Sequence, residues 1–414
     1  MMKKPMRRRD LSQLSLSPIG WALAGCFAAA ALGLVGLTWI GLALLHFPIP
    51  TRSRSISLHD LIGVLQLVFA SVAGAGALVA LVMAYRRQRV AEASSAHDRS
   101  RVLNERFTAI TAQLGSDQAT IRLAGVHAMA GLADDWEENR QTCIDVLCAY
   151  LRMPYELDPG DQAPEAEQLA FQASREVRHT VIRIIRNHLN GHTNISWRGC
   201  DFDFTNVIFD GATFFRVEFG SGGFVSFSGA QFRSGVVSFR NASFAGSEVT
   251  FTNAVFSGAQ VIFDGAEFSD GKIWFSDSGF ARGEISFSGT QFSGATVSFD
   301  STDFSGGKVI FDDAVFSGGE VTFRRAEFSG SPVSFRAVAF KGSSVIFDLA
   351  EFSDSEVSFF SADFRGGHVD FRGADFSGGR VDLSVPHIWS TPPSFDAWTT
   401  RPIALYLPTA NCAN

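Results

Sequence analysis

Residues 297–328 read VSFDSTDFSGGKVIFDDAVFSGGEVTFRRAEF, and within them phenylalanine falls at 299, 304, 311, 316, 323 and 328, in alternating steps of five and seven. The same rhythm runs without a miss from Phe227 to Phe376, giving thirteen Phe pairs at a 12-residue period. Two positions before each Phe stands a second apolar or small residue, as in Val309 and Ala314 or Val237 and Ala242. Self-similarity at a short fixed period marks a solenoid, in which each unit buries its apolar side only against its neighbours.

One unit runs from Val309 to Glu320 and has the form V-x-F-x-x-A-x-F-S-G-G-x. In V-x-F and A-x-F the alternate residues share one face, so each tripeptide predicts a short strand with both apolar residues inward. Two residues, such as Asp312 and Asp313, turn one corner; four, Ser317 to Glu320, turn the next. Glycine suits the longer corner because a sharp bend often needs positive φ.

A 12-residue turn is too narrow to enclose two Phe rings roughly 5 Å from an identical pair above and below. Two units per turn give a rectangular coil of about 24 residues with four inward Phe. Charge order supports the larger coil. A 24-residue step sets Asp300 beside Arg324, Asp348 and Arg372 in turn, Asp312 beside Arg336, and Arg240 beside Asp264. A 12-residue step would oppose Asp300 with Asp312 and Arg324 with Arg336, and like charges directly opposite destabilise a sheet.

The bare five-residue step of Phe204, Phe209, Phe214 and Phe219 precedes this run, and NASF (241–244), GAEF (265–268), RAEF (325–328) and GADF (373–376) recur within it. These segments resemble the A-(D/N)-(L/F) core of pentapeptide-repeat proteins, here of the membrane-anchored bacterial type, over roughly residues 196 to 383. The resemblance implies a right-handed, quadrilateral β-helix. The chain departs from that family by two extra residues at every second corner. A fold of this kind is almost silent on activity.

The N-terminal tail is basic, with Lys3, Lys4, Arg7, Arg8 and Arg9, and an uncharged stretch follows from Ile19 to about Leu45. A second uncharged run, Leu61 to Tyr85, comes after a loop holding Arg52 and Arg54, and Arg86, Arg87 and Arg89 close it. Each run is long enough to span a bilayer as a helix. The cation distribution predicts a multi-pass plasma-membrane protein with both termini and the solenoid in the cytoplasm.

The expected order is therefore a basic tail (1–18), transmembrane helix 1 (19–45), an external loop (46–60), transmembrane helix 2 (61–85), a helical cytoplasmic segment (86–192), the β-solenoid (193–385) and a cap (386–414). In the helical segment Val102, Phe107, Ile110 and Leu114 fall at helical spacing and end at Gly115. Two further amphipathic stretches follow, from Ile121 to Leu132 and from Cys143 to Leu151. A linker rich in Pro, Asp and Glu leads to a last helix, Val177 to Leu189, closed by Asn190 and Gly191. LNERFTAITAQLGS (103–116) and CIDVLCAYLR (143–152) resemble the helical segment that precedes the repeats in other membrane-anchored members of that family.

Chemistry is thin throughout. His127, His179, His188 and His192 lack the paired spacings of a metal site. No phosphate loop or nucleophile elbow occurs, so no catalytic residue, cofactor or metal is expected. Five cysteines show neither metal-ligand spacing nor a dense disulfide pattern, and Cys143 and Cys148 read as helix-packing residues. Asp134, Asp135, Glu137 and Glu138 beside Trp136 form an acidic cluster that reads either as a solvated turn or as a docking patch. After Leu383 the composition shifts to Pro and aromatics, including Trp389, Phe395 and Trp398, as suits a cap over exposed strand edges.

Two functions stay open. One is a non-catalytic membrane-tethered scaffold that binds a protein partner through the solenoid wall. The other, allowed by the resemblance to gyrase-binding pentapeptide-repeat proteins, is a DNA-mimicking regulator. Residues 196–385 carry 24 acidic and 14 basic side chains, an acidic surface too interleaved with arginine for a DNA mimic, and no direct nucleic-acid binding is expected. The 24-residue step aligns Asp303, Glu327, Glu351 and Asp375, four carboxylates about 5 Å apart on one wall, which read either as a solvated face or as a candidate docking stripe for a basic partner or, as the lesser alternative, a divalent cation.

Overall fold

The computed structural model describes residues 58–156 and 158–409, with isolated positions between 25 and 39. Most of the first expected span and of the loop after it lies outside these residues. The chain divides into two compact units, residues 1–102 and 103–414.

In the first unit, helix α1 begins at Leu58 and runs unbroken to Leu114, so its last turns belong to the second unit. The expected second span and the expected helix ending at Gly115 are one element. No glycine or proline lies between Tyr85 and Leu114 to interrupt it. Among the described residues this is the one helix long and apolar enough to cross a membrane, with a mean hydropathy of 1.6 in its apolar stretch. Phe69, Val72, Leu78 and Leu81 stand exposed along it. The stretch expected to form the second span lies in this helix, and most of the stretch expected to form the first lies outside the described residues.

The second unit has one continuous core from Leu103 to Leu405. Its helices are the end of α1, α2 (Ala119–Asp135), α3 (Arg140–Arg152) and α4 (Glu165–Leu189). Val126, Met129 and Leu132 of α2, Ile144, Leu147 and Leu151 of α3, and Val181 and Ile185 of α4 are buried, so three amphipathic faces converge.

From Phe202 onward the chain is a solenoid of short parallel strands in sheets of 8, 14 and 5 strands. The register advances by 24 residues: Lys272 pairs with Thr296, Thr296 with Glu320, Glu320 with Ser344 and Ser344 with His368. The first coil departs from this step, with Phe202 opposite Val225 and Ala212 opposite Val237, and an irregularity between Phe280 and Glu284 shifts the register locally, setting Arg282 opposite Ser257.

Four columns of Phe fill each coil. One contains Phe204, Phe227, Phe251, Phe275, Phe299, Phe323, Phe347, Phe371 and Phe395, with centroids 4.5–5.4 Å apart. Its rings meet those of a second column edge-on, as in Phe299 with Phe287 and Phe311, both at 5.8 Å. Stacking along a column and edge-to-face contact across it are the two arrangements that aromatic quadrupoles favour. The 12-residue turn is thereby excluded.

The corners differ from expectation in an instructive way. Positive φ occurs at the second residue of the two-residue corners whatever its type: Asn253, Asp277, Ser301, Asp313, Arg325, Ala337, Leu349 and Ser361 all lie between 53° and 61°. At the four-residue corner, glycine answers to closeness as well as to dihedral angle. A Cβ on Gly378 would lie 1.9 Å from the carbonyl oxygen of Ser353 one coil below, and Gly378 is not among the positive-φ glycines.

The 24-residue step also stacks the corner charges, although side-chain ion pairs form at few of them. Arg240 and Asp264 pair at 2.8 Å. Asp300 and Asp312 instead accept the backbone N–H groups of Arg324 (3.0 Å) and Arg336 (3.2 Å), while the guanidinium of Arg372 turns to Asp370 at 2.6 Å.

Candidate functional site

Asp303, Glu327, Glu351 and Asp375 occupy successive coils of one ladder, each the register partner of the next. Each precedes an inward Phe, so the pleat turns its side chain out. Glu327, Glu351 and Asp375 are exposed; Asp303 is half-buried, with one carboxylate oxygen accepting the Ser305 hydroxyl at 2.9 Å. Below them the same column carries Gly279, Val255, Gln231 and Ile208.

A second constellation, absent from the sequence reading, lies where the helices meet the first coil. Asp210 sits at the corner between strands Ile208–Phe209 and Ala212–Thr213. Its carboxylate receives hydrogen bonds from the Tyr155 hydroxyl (2.7 Å) and Arg175 Nε (2.8 Å), and one oxygen lies 2.9 Å from His179 Nε2. Arg175 and His179 are one turn apart on α4, which places both on one face. Burial by itself would raise the Asp210 pKa, but the bonds from His179, Tyr155 and Arg175 outweigh it and hold the group at about 2. The Tyr155 hydroxyl is pushed up, first by burial and then by Asp210. Arg178 lies under the Tyr155 ring at 4.2 Å and donates to the carbonyls of Leu151 (2.7 Å) and Ile208 (3.0 Å).

Further polar groups of the helices satisfy the open edge of the first coil. The Gln141 carboxamide donates to Asp201 O (2.8 Å) and accepts from Asp201 N (2.9 Å), as a strand's peptide unit would. Arg152 pairs with Asp203, and Leu189 O accepts the Glu218 N–H at 3.2 Å. Trp197 is fully buried, stacks on His188 at 3.9 Å and donates from Nε1 to Asp134 at 3.0 Å. His188 Nε2 lies 3.1 Å from the other Asp134 oxygen. The acidic cluster around Trp136 is thus divided. Asp134 is tied into this junction and Asp135 pairs with Arg106 at 2.9 Å, while Glu137 and Glu138 face solvent.

A pocket of about 150 Å³ opens beside this clamp of Tyr155, Arg175 and His179 on Asp210, lined by Tyr155, Phe171, Arg175, Asp210, Arg233 and Ser234 among others. Its lining includes Ser234 but not His179. Among the described residues no group of three or more His, Cys, Asp or Glu is placed to hold a metal ion. Cys143 and Cys148 are buried in α3. Burial, with Asp145 adding to it, pushes the Cys148 thiol up to about 12, which disfavours the reactive thiolate.

The opposite end of the solenoid is also covered. Trp389 meets Phe364 edge-on at 5.0 Å, Phe395 stacks on Phe371 at 5.4 Å, and Trp398 meets Phe376 edge-on at 6.0 Å.

Fold and site together define a Phe-cored β-solenoid closed by helices at one end and by an aromatic segment at the other. No protein-family model and no curated protein matches the sequence. Among solved structures the chain aligns with trypsin-treated QnrB1, a plasmid-mediated fluoroquinolone resistance protein, at 16% identity over 42% of this chain and 83% of that one, with a TM-score of 0.21. A likeness of that strength carries no argument about function, and the solenoid rests on the register and ring columns above.

Proposed function

We propose that this chain is a non-catalytic, membrane-tethered scaffold whose solenoid wall docks a protein partner through Asp303, Glu327, Glu351 and Asp375. The observation that carries the reading is the unbroken ladder of these four carboxylates in consecutive coils. Like charges so placed repel and add nothing to folding, while a basic partner surface would relieve that repulsion. The exposed apolar stretch of α1 supports the tether. The polar groups of the clamp are engaged with one another and with the first coil, which suits a structural role there.

The test is proximity labelling in cells with the parent chain and with Glu327→Gln and Glu351→Gln combined. The double variant should melt at or slightly above the parent's temperature and lose the parent's partners, and their capture by the purified parent should weaken as salt rises. Identical partner sets at low salt would make the stripe a solvated face.

A further inference from the structure

The arginines that follow the apolar part of α1 form a charged collar with a specific built feature. From Leu61 to Tyr85 the helix carries no Asp, Glu, Lys or Arg, a length of roughly 36 Å at about 1.5 Å per residue. That exceeds the ~30 Å hydrocarbon core of a bilayer. Arg86, Arg87 and Arg89 come next, within four positions. At the other end of this stretch the helix offers only His59 and Asp60. Within the described helix the Lys and Arg residues next to this stretch therefore all stand at one end.

Tyr85 stands at the boundary, more than half exposed, where an amphipathic ring prefers the headgroup level. Arg89 is anchored to it: Nε donates to the Tyr85 hydroxyl at 3.1 Å and the guanidinium carbon lies 5.5 Å from the ring centroid. That contact uses one of the three guanidinium nitrogens and restrains a long side chain in advance, so less freedom is lost when the others take a ligand. Arg86 and Arg89 are three residues apart and share a helix face. Guanidinium groups match phosphate oxygens in bidentate geometry.

Resting on the membrane reading above, we infer that Tyr85, Arg86, Arg87 and Arg89 form a headgroup collar that selects anionic phospholipid over zwitterionic lipid. A basic residue near an anionic leaflet favours it by roughly five-fold per arginine. Residues 196–385 carry an acidic excess, so the solenoid does not itself supply such a preference.

The full chain is reconstituted into vesicles of phosphatidylcholine alone and of phosphatidylcholine with phosphatidylglycerol, checked by flotation, then extracted for native mass spectrometry of retained lipid. The expected result is retention of phosphatidylglycerol well above its bulk share, falling at least ten-fold in the R86Q/R87Q/R89Q variant. It should persist in the charge-matched control R324Q/R325Q/R336Q, altered only on the solenoid. Flotation with both lipids retained in proportion to their supply would overturn the collar while leaving the tether standing. Equal loss of preference in both triple variants would overturn it too, as an effect of net charge. Failure to float with either vesicle would sink the tether and the collar together.

Discussion

Replacing Phe299 by alanine tests whether the solenoid behaves as a neighbour-coupled array. The ring is fully buried, stacked 4.8 Å from Phe275 and 4.9 Å from Phe323, and edge-on to Phe287 and Phe311 at 5.8 Å. Truncating a buried Phe to Ala costs about 3–5 kcal/mol, and the cost is larger where the site cannot collapse. Here it cannot: the backbone ladders on either side fix the coil spacing, so the rings above and below cannot close the gap. The four ring contacts, each worth about 0.5–1.5 kcal/mol beyond area burial, are lost together. The upper end of the range, about 5 kcal/mol, is therefore expected.

Amide hydrogen exchange on the full chain reads the outcome coil by coil. About 5 kcal/mol corresponds to more than a thousand-fold faster exchange through openings that include the altered coil. That acceleration should reach the coils of Phe275 and Phe323 as well as that of Phe299, because each coil's stability includes its interfaces. Phe395→Ala, which removes a ring stacked from one side only, should accelerate exchange far less and only near Phe371. Acceleration confined to the Phe299 coil would refute the coupling, and no acceleration at all would refute the packing.

Three further outcomes are expected. Asp210 is held at about 2 against an ordinary 3.8, so its contribution of about 2 kcal/mol is present above pH ~4 and lost as pH falls toward 2; acid titration of thermal stability should show this in the parent and not in Asp210→Asn. Ala337→Gly relieves a φ of 53° and should stabilise by about 0.5 kcal/mol in denaturant titration, while Gly319→Ala, whose Cβ would meet Ala295 O at 2.1 Å at a φ of +74°, should destabilise by several times as much. Trp389→Ala uncovers Phe364 and should raise concentration-dependent self-association in light scattering with little effect on the melting of the central coils.

The solenoid was legible in the sequence because its contacts repeat. An inward Phe at 299 meets its like at 275 and 323, so spacing alone encodes the neighbour, and the order of Asp300 and Arg324 selects the coil length. The corners were half legible. Glycine at 306–307 and 318–319 flags the longer bend, but positive φ at Arg325, Ala337 or Leu349 leaves no mark, since these residues do not favour it and the ladders on either side impose it. The clamp could not be read. Asp210 meets Tyr155, 55 residues away, and His179, 31 residues away, through side chains that follow no period. One local signal was available: Arg175 and His179 at helical spacing on the face of α4 that also carries buried Arg178.

The repeat constrains inward positions so tightly that variation between coils has to be carried outside, and the two outward columns that precede the second Phe of each unit differ in how they use it. One runs Glu218, Ser243, Glu267, Gln291, Val315, Ala339, Asp363, with no two acidic residues in adjacent coils. The other runs Ile208, Gln231, Val255, Gly279 and then four carboxylates in succession. Both columns sit in the same local geometry, one residue before an inward Phe, so backbone preference cannot account for the difference. Repulsion between directly opposed like charges favours the interspersed arrangement in both. The second column departs from it in its last four coils only, which gives the wall an acidic half and a neutral half along its length. On the docking role proposed above, a column polarised in this way would fix the direction in which an elongated basic partner lies, which a uniformly charged column would not do.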